Sequence, residues 1–121
     1  MNNEKFDFEN LKVYQKSLEY VDFVYKVTIN FPKTEVFSLM DQFKRASTSI
    51  CLNIAEGSGG SKTEFNQFLR IARRSVRECI AITEIAFRQE FIRNEIKEES
   101  RVLCSELSKM ITGLSKSLKN D

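Results

Sequence analysis

Four arginines, Arg70, Arg73, Arg74 and Arg77, recur at i, i+3, i+4 and i+7, the spacing that gathers side chains on one face of an α-helix. Guanidinium forks match the geometry of phosphate oxygens bidentately, and at about 1.5 Å of rise per residue the row spans roughly 10 Å. Lys44 and Arg45 belong to the same basic stretch: residues 44–77 hold seven cations against Glu56 and Glu64, a local charge of +5 in a chain whose total is +2. Lys44, Arg45, Arg70, Arg73, Arg74 and Arg77 are therefore the candidate contacts to the phosphates of RNA or DNA. A solvated face is the plainer alternative, because Glu78 and Glu84 lie at helical spacing from Arg74 and from Arg77 or Arg88. A third reading is a protein-interaction scaffold whose basic face docks an acidic protein partner. No aromatic side chain falls on the arginine face, which favours contact with backbone phosphates over the reading of unstacked bases.

Other chemistry is hard to assemble. The chain has no His, the usual acid–base group near neutral pH. It has no glycine-rich phosphate loop and no Glu-x-x-His pair of the kind that builds a di-metal bundle core. Glu98 and Glu99, like Glu90 and Glu95, fall on polar helix faces, and Ser47, Thr48 and Ser49 have no base beside them. Cys51, Cys79 and Cys104 are widely spaced within apolar patterns and read as small buried hydrophobes, not as metal ligands or disulfide partners. Asn53 and Glu56 read as groups that satisfy polar atoms at a helix end. The expectation is a non-catalytic protein without cofactor or metal.

The elements that position the arginines follow from apolar periodicity. The 121 residues, with 41% hydrophobic side chains, ten Phe, one Pro and four Gly, suit one domain over residues 1–121 made of long helices. The pattern predicts helices at about 9–30, 34–56, 62–89 and 94–118. Pro32 ends the first. Gly57, Gly59 and Gly60, which tolerate positive φ, end the second, and Ser61 with Glu64 gives the third a capping box. Short connections favour antiparallel neighbours, so the fold class is all-α, an up-and-down antiparallel four-helix bundle. No run of 18 apolar residues is present, so no membrane span is expected. Met1 to Lys5 lack the character of a signal segment, which makes the cytoplasm the expected location.

The core stripe of the third helix is Phe65, Phe68, Leu69, Ala72, Val76, Cys79, Ile80, Thr83 and Phe87. On the second it is Val36, Leu39, Met40, Phe43, Ile50 and Ile54, and on the fourth it runs from Ile96 through Leu103, Leu107 and Ile111 to Leu118. The first helix carries two stripes: Leu11, Tyr14, Leu18, Val21 and Tyr25, taken as core, and Val13, Tyr20, Val24, Val27 and Phe31. Ile71, Ile82 and Ile85 make a further line on the third helix. These surplus stripes predict a subunit interface and a homo-oligomer.

Several segments also carry a family resemblance. Phe8-Glu9-Asn10-Leu11-Lys12-Val13-Tyr14-Gln15-Lys16, Phe31-Pro32-Lys33-Thr34-Glu35, Gln42-Phe43-Lys44-Arg45-Ala46 with Ser49-Ile50, Asn53 to Gly57, and Glu64 to Arg73 cover nearly the whole chain. Together they resemble the four-helix bundle proteins related to those encoded in intervening sequences of bacterial 23S ribosomal RNA genes. Such proteins are similar in fold to an accessory protein of diversity-generating retroelements, a five-membered barrel that binds nucleic acid and reverse transcriptase. The resemblance thus implies a homopentamer with a basic surface. Departures fall at Tyr14, where Trp is usual, at Arg74, a frequent Gly position, and at Gly59-Gly60, which lacks a common Arg.

Overall fold

The computed structural model describes residues 6–119; the Met1 to Lys5 stretch considered above for a signal segment lies outside them. Four helices form: α1 (Lys12–Thr28), α2 (Leu39–Gly57), α3 (Lys62–Arg88) and α4 (Asn94–Lys119). Consecutive helices pack side by side and α4 closes against α1, which leaves α1/α3 and α2/α4 as diagonals. Cross-helix contacts fix the directions. Ser49 meets Ser75 while Gly57 meets Phe68, and Thr83 meets Ser100 while Asn66 meets Ser115. The numbering rises on one helix as it falls on the next, so the neighbours are antiparallel and the expected bundle is the one observed.

Two helix starts differ from the sequence expectation, while the other ends fall within two residues of it. α1 starts at Lys12 because Asp7–Asn10 form a separate 3₁₀ turn and Leu11 is extended (φ −72°, ψ 126°). The Phe8 ring packs edge-on against Tyr14 with centroids 5.0 Å apart, folding this turn back onto α1. α2 starts at Leu39 instead of residue 34, since Lys33–Glu35 make another 3₁₀ turn. The Glu35 carboxylate then accepts the Leu39 N–H at 3.3 Å, covering one of the orphan donors of the α2 N-terminus.

The glycine turn works differently from the expectation. No described glycine has positive φ. Gly57 is buried at the end of α2, and a Cβ there would lie 2.5 Å from the Phe68 Cβ. Glycine is needed for the close approach of α2 to α3. Ser61 does cap α3, accepting from Glu64 N–H at 3.2 Å while the Glu64 carboxylate accepts from Ser61 N–H at 2.8 Å. The left-handed residue is Glu90 (φ 63°), at the C-terminus of α3. There Phe91 N–H bonds to Ala86 C=O at 2.8 Å and Glu90 N–H to Phe87 C=O at 3.0 Å, the paired bonds of a Schellman cap.

Burial overturns the expected orientation of α1. Val13, Tyr20, Val24, Val27 and Phe31 form the core stripe, whereas Leu18, Tyr25 and Ile29 are exposed. The Tyr20 hydroxyl explains the preference. Thr83 Oγ1 donates to the Cys79 carbonyl at 2.7 Å, Thr83 and Ser100 Oγ are 2.8 Å apart, and Ser100 and Tyr20 Oη are 2.9 Å apart. A carbonyl only accepts and each hydroxyl has one proton, so the order is forced: Tyr20 donates to Ser100, Ser100 to Thr83, and Thr83 to Cys79. On α3, Ile82 also turns inward, while Ile71 and Ile85 stay about half exposed. Val36, expected on the α2 core stripe, is exposed in the turn ahead of that helix. All three cysteines are buried and unpaired.

Substitution at two glycines should move stability in opposite directions. Gly57→Ala forces Phe68 to move, and overpacking of this kind costs about 1–3 kcal/mol. Gly113 lies inside α4, where an added Cβ would meet nothing within 4 Å, and its change to Ala should gain about 0.5–1 kcal/mol. Urea unfolding of the two variants should therefore lower the midpoint for the first and raise it for the second.

Stability should also depend on alkaline pH. Burial holds the Tyr20 hydroxyl and the Cys79 and Cys104 thiols above their ordinary values, so the folded chain keeps protons that the unfolded chain releases. This stability is intact below about pH 8.5, the unperturbed thiol range. It is lost as pH rises, first through the thiols and then, above about pH 10, also through Tyr20, each ionising group steepening the fall by about 1.4 kcal/mol per pH unit. Tyr20→Phe should cost about 1 kcal/mol at neutral pH through the lost hydrogen bond, and its unfolding free energy should fall less steeply above pH 10.

Candidate nucleic-acid interface

The cap at Ser61 sets the start of α3, and its apolar stripe fixes the rotation. Phe65, Leu69, Ala72, Val76 and Cys79 point inward, which turns Arg70, Arg74 and Arg77 out to solvent and leaves Arg73 half buried against α4. Among the described residues no carboxylate lies within salt-bridge distance of these four arginines. Glu84 pairs instead with Arg88 at 3.4 Å and with Lys97 of α4 at 3.1 Å, and it is held below the usual carboxylate range chiefly by the Lys97 hydrogen bond. Of the pairings that would neutralise the face, only Arg88 with Glu84 forms.

Lys44 and Arg45 sit elsewhere. The Lys44 ammonium lies over the Tyr25 ring of α1, 4.8 Å from its centroid, and α1 is the diagonal partner of α3. Arg45 bonds to Asp41 one turn back at 3.1 Å. The structure thus brings together the four α3 arginines and separates them from the two α2 cations. Asn53 donates to the Ser49 carbonyl at 2.7 Å, one turn back within α2, whereas Glu56 is exposed.

The groove between α3 and α4 adds cations that the linear sequence hid. Arg70 and Arg73 share one stretch of it with Asn66, Ser115 and Lys119. Further along, Ile80 faces Arg101, Ser105, Ser108 and Lys109. Arg101, Lys109 and Lys119 are eight and ten residues apart and form no compact cluster in sequence; the antiparallel pairing of α4 with α3 places Lys119 beside Arg70 and Arg73, and Arg101 and Lys109 beside Ile80. The opposite side of α4 has another character, because its groove against α1 is lined by Glu19, Asp22 and Glu99 with Lys26. Among the described residues, no three His, Cys, Asp or Glu side chains gather where they could hold a metal ion, and no helix is long and apolar enough to cross a membrane.

The family model described as 23S rRNA-intervening sequence protein matches residues 9–113. The chain belongs to that family. It is also similar to a crystal structure of a protein of unknown function from the S23 ribosomal protein family of Bacteroides thetaiotaomicron. The identity is 28% and the TM-score 0.78, over 86% of this chain and 95% of the other. No curated protein matches the chain. The stretch matched by the 23S rRNA-intervening sequence protein family contains all of the basic residues discussed above except Lys119.

Proposed function

We propose that this member of the 23S rRNA-intervening sequence protein family is a non-catalytic accessory protein of the cytoplasm that binds RNA or DNA through the basic face of α3. The observation that carries the reading is the row Arg70, Arg73, Arg74 and Arg77, aligned on one side of one helix with no carboxylate within salt-bridge distance among the described residues. Packing four like charges costs self-repulsion, and a polyanion relieves it. Phosphate oxygens are the natural acceptors, since binding there releases condensed counterions.

The protein acts, in this reading, as a homo-oligomer. Leu18 and Tyr25 on α1 and Ile29 just past its end, with Leu52, Ile71 and Ile85 on α2 and α3, are apolar side chains that the single chain leaves exposed, and they supply candidate subunit contacts. The resemblance to the five-membered barrel implies five copies, which would repeat the arginine row around a ring.

Fluorescence anisotropy with short RNA and DNA across a salt series tests the proposal. Four phosphate contacts predict roughly a hundred-fold loss of affinity between 50 and 200 mM salt. A variant with Arg70, Arg73, Arg74 and Arg77 changed to Gln should keep its helical circular dichroism and lose this binding. Absence of binding by the wild type at low salt would contradict the proposal and turn attention to an acidic protein partner.

A further inference from the structure

We infer that the ligand of the basic surface is a double-stranded nucleic acid, held with one backbone on each lip of the α3/α4 groove; this rests on the nucleic-acid reading above. Cations occupy both lips. Arg70 and Arg73 line the groove from α3, and Arg101, Lys109 and Lys119 from α4. No carboxylate is among the residues lining either stretch of this groove, whereas three carboxylates line the groove on the other side of α4. The polarity across α4 means that a polyanion has one favourable side to approach.

Shape decides between one strand and two. Proteins that hold single strands without reading sequence combine a basic groove with aromatic platforms on which bases stack. The apolar groups of this groove are Leu69, Ile80, Val102 and Ile111, with no aromatic ring. At the Arg70 and Arg73 end the space is only about 40 Å³, too little to admit a base. There a ligand must rest on the lips and present phosphates to both; beside Ile80 the groove opens to about 480 Å³, still without an aromatic platform.

The dimensions suit a duplex. Packed helix axes lie about 8–10 Å apart, and outward-reaching Arg and Lys side chains set the two rows of charge somewhat further apart. That separation is comparable with the roughly 12 Å width of a duplex groove, whose edges are the two phosphate backbones. Arg101 to Lys119 covers about 27 Å along α4 at 1.5 Å per residue, roughly three-quarters of a helical turn of DNA. Ser105 and Ser108 line the α4 side and supply hydroxyl donors, which commonly complete phosphate contacts.

The test compares 16-base-pair RNA and DNA duplexes of mixed sequence with their separated strands, using the full chain and anisotropy at several salt concentrations. Duplex should bind at least about ten-fold more tightly than either strand. A variant with Arg101, Lys109 and Lys119 changed to Gln should weaken duplex binding about ten-fold or more and lower the slope of log K against log salt by about 2–3. A control with Lys12 and Lys26 changed to Gln, both exposed on α1 and away from the groove, should leave the slope unchanged. Single strands bound as tightly as duplex would overturn the inference without needing any variant. So would an α4 variant that binds like the wild type while the α3 arginine variant does not; in that case the nucleic-acid reading stands and the two-lipped site fails. A wild type that binds no nucleic acid overturns both.

Discussion

The hydroxyl chain from Tyr20 through Ser100 and Thr83 to the Cys79 carbonyl is the interaction on which the arrangement of helices depends. It links α1, α4 and α3 inside the core, and each hydroxyl would be costly to bury alone. Any rotation of one helix that broke the chain would strand a polar group in an apolar interior. With Tyr20 required inward, Leu18, Tyr25 and Ile29 are required outward. With Thr83 and Cys79 inward, the opposite side of α3 is the arginine row. The surface that could meet a partner is thus set by polar groups the partner never touches.

A second constraint acts at the α2/α3 end. Gly57 lets Phe68 approach until no Cβ would fit between them, and Ser75 of α3 donates across the same interface to the Ser49 hydroxyl of α2 at 2.9 Å. These contacts keep α3 close to α2 along its inner side. Its outer side is free to carry like charges because, among the described residues, α2 offers no carboxylate within salt-bridge distance of them. Electrostatics then divide the two flanks of α4. Lys16 with Glu106 at 2.8 Å ties it to α1, and Lys97 with Glu84 ties it to α3. Ion pairs at the protein surface add little to stability, so their effect is mainly on which charges remain unneutralised.

How much of this was legible in the sequence depended on the number of solutions each pattern allowed. α3 was readable because most of its apolar side chains make one stripe, and the arginine row follows from that stripe by geometry. α1 was not, because two apolar stripes compete and periodicity ranks neither; the deciding fact is a hydroxyl that finds Ser100, eighty positions away. Glycine marked the α2/α3 turn correctly but for a different reason, close approach instead of left-handed backbone, and the left-handed position fell on Glu90. The separation of Lys44 and Arg45 from the α3 row, the arrival of Lys119 beside Arg70 and Arg73, and that of Arg101 and Lys109 in the same interhelical groove are properties of helix pairing. No stretch of sequence contains them.

Whether the outer face of α3 is the contact surface for nucleic acid can be read most directly by arginine modification with phenylglyoxal, in the presence and absence of a saturating duplex, with the modified residues located by mass spectrometry. Arg45 and Arg93 serve as internal references, since their side chains are each 81% exposed and lie outside the row. Duplex should shield Arg70, Arg73, Arg74 and Arg77 while Arg45 and Arg93 continue to react. Shielding of Arg45 and Arg93 with continued reaction of the α3 row would place the contact elsewhere and contradict the assignment.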